Sequence, residues 1–209
     1  LATILLLLLL SGCDNGDSLD QILERGELQV VTRNSPTTYY LDKTGPSGFE
    51  YALAGLLAEE LGVELAIRQA FSLEDIFVRL SRQEADLAAA GLALSGEREA
   101  AYPHSIPYSR LTPQVIYVAG TFRPRELADL VGMSLVVLQG SRHAQFLAAL
   151  KAGGFPDLAW REVEGVESME LLDELQGGRA QLAIVDSNEF TVQQSLYPRL
   201  KVAFDLGSE

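Results

Sequence analysis

Arg98 is the side chain in this sequence best suited to gripping a small ligand. A planar guanidinium holds a carboxylate through two parallel hydrogen bonds, which lysine cannot do. The competing reading is a surface arginine paired with Glu97 or Glu99. Asp186 follows an apolar run at its carboxyl end, where it can face a ligand or cap the helix beginning near Asn188. Ser141 follows Gly140 and opens a helical pattern. Free backbone N–H groups and the positive end of the helix dipole suit an anion there, with a plain N-cap as the alternative. Tyr39 and Tyr40 follow the first strand, where aromatic rings can stack on a ligand and exclude water; Tyr40 is the ring expected to pack in the core. Gly91 and Ser95 can present backbone and hydroxyl groups to a ligand carboxylate, and Gly91 serves equally as a turn. His104 and His143 stand alone and read as ordinary polar residues, while Glu59-Glu60 and the Glu162/Glu164 pair read as solvated faces. The sequence holds no Ser/His/Asp arrangement and no phosphate loop, and no cofactor or metal is expected.

These residues must be positioned by a regular alternation of strands and helices. Leu28 to Thr32, Val63 to Arg68 and Asp86 to Ala90 read as strands. Between them, Phe49, Leu53, Leu56, Leu57 and Leu61 recur at helical spacing before Gly62, and Ser72 caps a helix with Leu73, Ile76, Phe77 and Leu80 facing inward. A second series follows, with strands at Gln114 to Val118, Ser134 to Leu138, Leu158 to Val163 and Gln181 to Val185. Its helices are expected near Pro124 to Leu130 and at Ser141 to Lys151, Ser168 to Leu175 and Ser187 to Leu196. The pattern predicts an α/β protein of two lobes, at 19–115 and 116–200, with a largely parallel sheet and a ligand cleft between them. Lys201 to Asp205 begins a further strand, so 201–209 reads as a crossing back toward the first lobe.

Composition narrows the function classes. The chain has 209 residues, 47% of them hydrophobic and 22% charged, which is ordinary for a globular protein. Its 16 basic residues against 29 acidic ones give a net charge of −13, which would repel nucleic-acid phosphates. One cysteine excludes an internal disulfide and, with two scattered histidines, a Cys/His zinc cluster.

Residues 1–12 carry no charge, and Ile4 to Leu10 form an unbroken apolar run too short to span a bilayer. That suits the core of a signal peptide. Leu10-Ser11-Gly12-Cys13 resembles the bacterial lipobox, which implies lipidation at Cys13, with 13–18 as a short linker beyond it. The protein is then expected on the periplasmic side, tethered to a membrane. No initiator methionine or basic segment precedes the apolar run, so the sequence reads as a fragment at both ends.

Several segments resemble the bacterial family 3 periplasmic solute-binding proteins, which mostly bind amino acids. They are Gly48 to Ala54 with Glu60-Leu61-Gly62-Val63, and Ala85 to Gly91 with Ser95-Gly96-Glu97-Arg98. Tyr102 to Tyr108, Gln139-Gly140-Ser141 and Val185-Asp186-Ser187 complete the set. The resemblance implies a two-lobe, type II binding-protein fold whose first lobe lacks its closing helices, and hence exposed apolar surface and weak stability. It also implies that Arg98 holds a ligand α-carboxylate and that Asp186 accepts from the ligand ammonium. Ala52 stands where the amino-acid binders usually carry Asp, with Glu50 nearby, and this departure argues against strict amino-acid specificity.

A more specific similarity covers nearly the whole chain beyond the signal segment. Arg25 to Leu28, Val31 to Tyr40, Thr121 to Arg125, Ile184 to Glu189 and Val202 to Leu206 resemble the N-terminal module of the membrane-bound lytic murein transglycosylases. In those enzymes a solute-binding-like module precedes a lysozyme-like domain that cleaves peptidoglycan. Glu167-Ser168 is the only Glu-Ser pair, no Gly-Leu-Met-Gln segment follows it, and it reads as the opening of a helix. The chain is therefore expected to be a non-catalytic sensor that binds an amino acid or cell-wall peptide and acts on a downstream catalytic domain. The alternative is a stand-alone lipid-anchored binding protein of an amino-acid transporter. The resemblance favours the outer membrane, whereas Asp14 after Cys13 resembles an inner-membrane retention signal.

Overall fold

The computed structural model describes residues 18–93, 96–165 and 167–207. The first lobe opens with α1 (Ser18–Arg25) and β1 (Glu27–Thr32), then the short hairpin β2 (Tyr40–Asp42) and β3 (Gly45–Ser47). It continues through α2 (Phe49–Leu61), β4 (Glu64–Gln69), α3 (Leu73–Ser81), β5 (Leu87–Ala88) and α4 (Gly96–Ala101). Its sheet has the order β4-β1-β5, all parallel. Helix α2 stops where Gly62 takes φ 69, a left-handed value that glycine adopts without a Cβ clash. Helix α3 starts where the Ser72 hydroxyl accepts from the Asp75 amide at 3.1 Å, as the sequence leads one to expect.

The second lobe comprises β6 (Pro113–Val118), a 3-10 turn at Leu127–Leu130, β7 (Leu135–Leu138), α5 (Arg142–Gly153) and β8 (Arg161–Val163). It then runs through α6 (Ser168–Gln176), β9 (Leu182–Asp186), α7 (Ser187–Gln193) and β10 (Leu200–Asp205). The sheet order is β10-β6-β9-β7-β8. Strands β8, β7 and β9 are parallel, while β6 runs antiparallel to both β9 and β10. The chain therefore enters this lobe along β6 and leaves along its neighbour β10. Every residue of β7 is buried, as expected of a central strand covered on both faces.

The lobes are not separately packed. Val31, Leu73 and Ile76 of the first lobe belong to the same buried apolar cluster as Ile116, Leu172 and Phe190 of the second. Helix α2 departs from the simplest reading of its leucine stripe. It lies on the sheet through Ala54 and Ala58, which pack with Leu28 and Val30, and it buries Glu50. Phe49, Leu53, Leu56 and Leu57 are instead 39–62% exposed. The helix is apolar almost all round, so periodicity does not select a face, and the small alanines permit the closer approach to β1. These side chains leave an exposed apolar surface on the first lobe. Among the described residues, no helix is long and apolar enough to cross a membrane.

Candidate functional site

The first lobe contributes the ends of β1 and β5. Gly91, just past β5, takes φ +63 and donates its amide to Glu50 Oε2 at 2.7 Å. Glu50 is 6% exposed and also accepts from the Tyr108 hydroxyl. That backbone amide is thus already engaged within the protein. Burial, followed by the hydrogen bond to Glu50, pushes the Tyr108 hydroxyl well above the ordinary tyrosine pKa. A Cβ at residue 91 would lie 2.8 Å from Arg33 Nη2, so the glycine gives the guanidinium room.

Arg33 directly follows β1 and is buried. Its guanidinium pairs with Glu189 of α7, also buried, and so ties the first lobe to the second through a desolvated charge pair. Glu167 lies near this pair. Burial raises its carboxyl pKa and the charges of Glu170 and Glu189 add to the rise, against the opposing effects of Asn34 and Arg33. Its backbone amide donates to Glu170 Oε2 at 2.8 Å, in keeping with Glu167-Ser168 as a helix opening.

The second lobe contributes the start of α5 and the end of β9. Ser141 caps α5, its hydroxyl accepting from the Ala144 amide at 3.3 Å, after Gly140 at φ 66. Asp186 closes β9, but its side chain makes no cap to α7. It accepts from Arg142 instead, and its Oδ1 lies 3.3 Å from His143 Nε2. Burial raises its carboxyl pKa, but His143 and Arg142 outweigh that and hold it at about 2. His143 is therefore not isolated, contrary to its reading from sequence, because the β9–α5 packing brings Asp186 to it. Arg98 crosses the boundary between the lobes. Its guanidinium donates to the Gly140 carbonyl and stacks 4.7 Å above the Phe77 ring. Burial lowers its pKa from the ordinary value, Tyr102 opposes that, and the nearby charge of Arg142 adds to it.

Arg98, Ser141 and Asp186 thus come together through Gly140 and Arg142. Tyr39 does not join them: it is 8% exposed and packs edge-on to Tyr51 at 5.6 Å. Tyr40, expected to be the core ring, is the more exposed of the two and accepts from Ser47 at 3.3 Å. The reversal arises because Tyr40 opens the short β2–β3 hairpin while Tyr39, just before it, packs against Tyr51 of α2. Ser95 and Cys13 lie outside the described residues. Arg33, Arg142 and Glu189 were not singled out from the sequence, and Glu50 only as the carboxylate near Ala52, although Arg33 follows a buried strand just as Asp186 does. A cavity of about 900 Å³ opens between Phe71, Phe77 and Tyr102 of the first lobe and Gln139, Glu162 and Glu164 of the second. Arg98 borders it through Phe77 and Gly140, whereas Ser141, Asp186, Gly91 and Tyr39 do not line it.

The pairing in Asp186 has a measurable consequence. Its folded pKa lies below its ordinary 3.8, so its contribution to stability is present above about pH 4 and lost as pH falls toward 2. Wild type and Asp186→Asn should differ by about 2 kcal/mol at neutral pH and converge near pH 2, in urea unfolding followed by far-UV circular dichroism. A gap unchanged at pH 2 would show that the pairing does not depress this carboxyl.

The sequence model of the bacterial extracellular solute-binding proteins, family 3, matches residues 28–176. Membrane-bound lytic murein transglycosylase F of Pseudomonas fluorescens (strain Pf0-1) is 44% identical over 204 residues, 97% of this chain and 42% of the relative. The same enzyme of Ectopseudomonas mendocina (strain ymp) is 43% identical over 205 residues, 96% of this chain and 42% of the relative. The similarity lies in the N-terminal region of those proteins, and this chain spans well under half of their length. Among solved structures, holo ArgBP from T. maritima superposes with a TM-score of 0.78 at 25% identity, over 91% of this chain and 82% of that one. A cysteine-binding protein from Campylobacter jejuni shares the fold, with a TM-score of 0.79 at 19% identity over 92% and 77% of the two chains. The two α/β lobes thus form the type II fold of periplasmic binding proteins. With its residues 28–176 matched throughout to that model, the chain belongs to the bacterial extracellular solute-binding proteins, family 3.

Proposed function

We propose that the chain is the non-catalytic, ligand-sensing module of a membrane-anchored lytic transglycosylase that acts on peptidoglycan. It binds an amino acid or a short cell-wall peptide between its lobes, and the bound state acts on a catalytic domain elsewhere in the longer protein. The observation that carries this reading is the placement of Arg98. Its guanidinium reaches from the first lobe to Gly140 at the start of α5, beside Arg142 and Asp186. A ligand carboxylate replacing the Gly140 carbonyl would meet Arg98 and the amino end of α5 together, and Asp186 supplies the opposite charge for an ammonium. Ligand can shift the lobes only by binding the closed arrangement more tightly than the open one. Cys13 would carry the lipid anchor, on the outer membrane by similarity to the transglycosylases. Lobe limits at 19–115 and 116–200, with 201–209 as the return crossing, belong to the same reading.

A second reading is a stand-alone lipid-anchored binding protein of an amino-acid transporter, favoured by neighbours solved with arginine and named for cysteine. Isothermal titration with murein stem peptides and, separately, with the free amino acids divides the two. Heat from stem peptides alone supports the sensor, heat from a free amino acid alone supports transport, and no heat from either sinks both.

A further inference from the structure

The interlobe cavity does not end at the cleft. Trp160, Glu162 and Glu164 alternate along β8 and its flanks, so their side chains share one face of the strand. With Gln139, Lys151 and Ala159 they line a second hollow of about 710 Å³. Gln139, Glu162 and Glu164 also line the interlobe cavity, so the two hollows form one continuous groove along the β8 edge of the sheet. A groove of this extent suits a ligand larger than one amino acid.

Its chemistry sets the ligand class. Phe71, 82% exposed, stands at one end of the groove and Trp160 at the other. Glu74, Glu162 and Glu164 give the walls three carboxylates. Glu162 is weakly engaged, accepting from the Gly140 amide at 3.3 Å and from the Trp160 indole at 3.4 Å. Two cations share the groove. Lys151 donates to the Leu158 carbonyl at 2.9 Å and lies 5.8 Å from the Trp160 ring centre, and Arg82 faces Glu84 at 3.9 Å. The lining thus sets the three carboxylates against the two cations Lys151 and Arg82, a net negative charge beside aromatic rings, which is complementary to an ammonium on an aliphatic stem.

We infer that the β8 end of this groove is a second subsite, continuous with the interlobe cleft, that takes the amine-bearing residue of a peptide ligand. The ammonium lies against Glu162 and Glu164 and the aliphatic stem covers Trp160. This inference rests on the proposed ligand-binding role and extends it to ligands of two or more residues.

Trp160 is the only tryptophan in the chain, so its fluorescence reports on the subsite directly. The probes are the tripeptide Ala-Ala-Lys, the same peptide with Nε-acetyl-lysine, and free alanine, each titrated by calorimetry and by emission. The lysine peptide is expected to bind about tenfold or more tightly than its acetylated form and to shift the Trp160 emission, the scale of one charge-assisted hydrogen bond. The double variant Glu162→Gln/Glu164→Gln should abolish that difference between the two peptides. Equal affinity for the two peptides, or binding without a Trp160 response, overturns the subsite and leaves the cleft reading standing. No binding of any probe overturns both.

Discussion

Glu189→Ala is expected to destabilise the protein by about 3–5 kcal/mol, the scale of removing one partner of a buried ion pair. Arg33 and Glu189 are 6% and 5% exposed, so little water can replace the lost carboxylate. The pair also spans the two lobes, so its loss should change their arrangement as well as their stability. The measurement is the urea midpoint together with the radius of gyration from small-angle scattering. A drop in midpoint with an unchanged radius would mean that the pair stabilises one lobe rather than joining two. Arg33→Met/Glu189→Leu provides the control, because removing both charges leaves neither ion exposed to a dry interior. That variant should recover most of the lost stability. If it is as unstable as Glu189→Ala, the buried polar surroundings matter more than the pair.

Arg98→Ala should weaken ligand binding by about 2–3 kcal/mol, roughly 30- to 150-fold, the scale of a charge-assisted hydrogen-bonded pair. The variant should fold normally, because Arg98 donates to one carbonyl at the lobe boundary and lies outside all three buried apolar clusters. Calorimetry with whichever ligand the wild type takes reads the affinity, and circular dichroism reads the fold. Unchanged affinity in a folded variant would remove Arg98 from the ligand. Arg98→Lys is the informative companion. It keeps the charge and loses the planar fork, so affinity intermediate between wild type and Arg98→Ala indicates two-pronged recognition of a carboxylate.

Much of the fold was legible along the chain because it depends on neighbours in sequence. Ser72 caps α3 through an amide three residues on, and Gly62 ends α2 by its own conformation. The apolar runs that become β1, β7 and β9 are buried strands in the structure. Helix α1, the β2–β3 hairpin and α4 were not anticipated. The first carries helical spacing at Leu19, Ile22 and Leu23 but spans only eight residues, the second comprises two strands of three residues, and the third is a six-residue helix, so each is too short to stand out.

The candidate site was legible by residue type more than by partner. Arg98, Ser141 and Asp186 do meet at one boundary, but Asp186 does so with Arg142 and His143 already on its carboxylate. Glu162 and Glu164 are exposed in the structure, as two alternating carboxylates on a short strand lead one to expect. What the sequence does not show is that β8 lies at the sheet edge, where these exposed carboxylates line a groove with Gln139 and residues of α3.

Local spacing therefore settled the strand–helix order, the helix caps and the family motifs of this protein, since each is decided within a few residues of chain. Three-dimensional packing settled the rest. Arg33 and Glu189 are 156 positions apart, and no local pattern announces that one will neutralise the other. The same holds for Glu50, which reaches Gly91 and Tyr108 across 41 and 58 positions, and for the alanine face on which α2 lies. A buried charge selects its partner by what folding brings within reach of it. The energy that enforces the choice is the desolvation penalty, which acts only once the interior has formed.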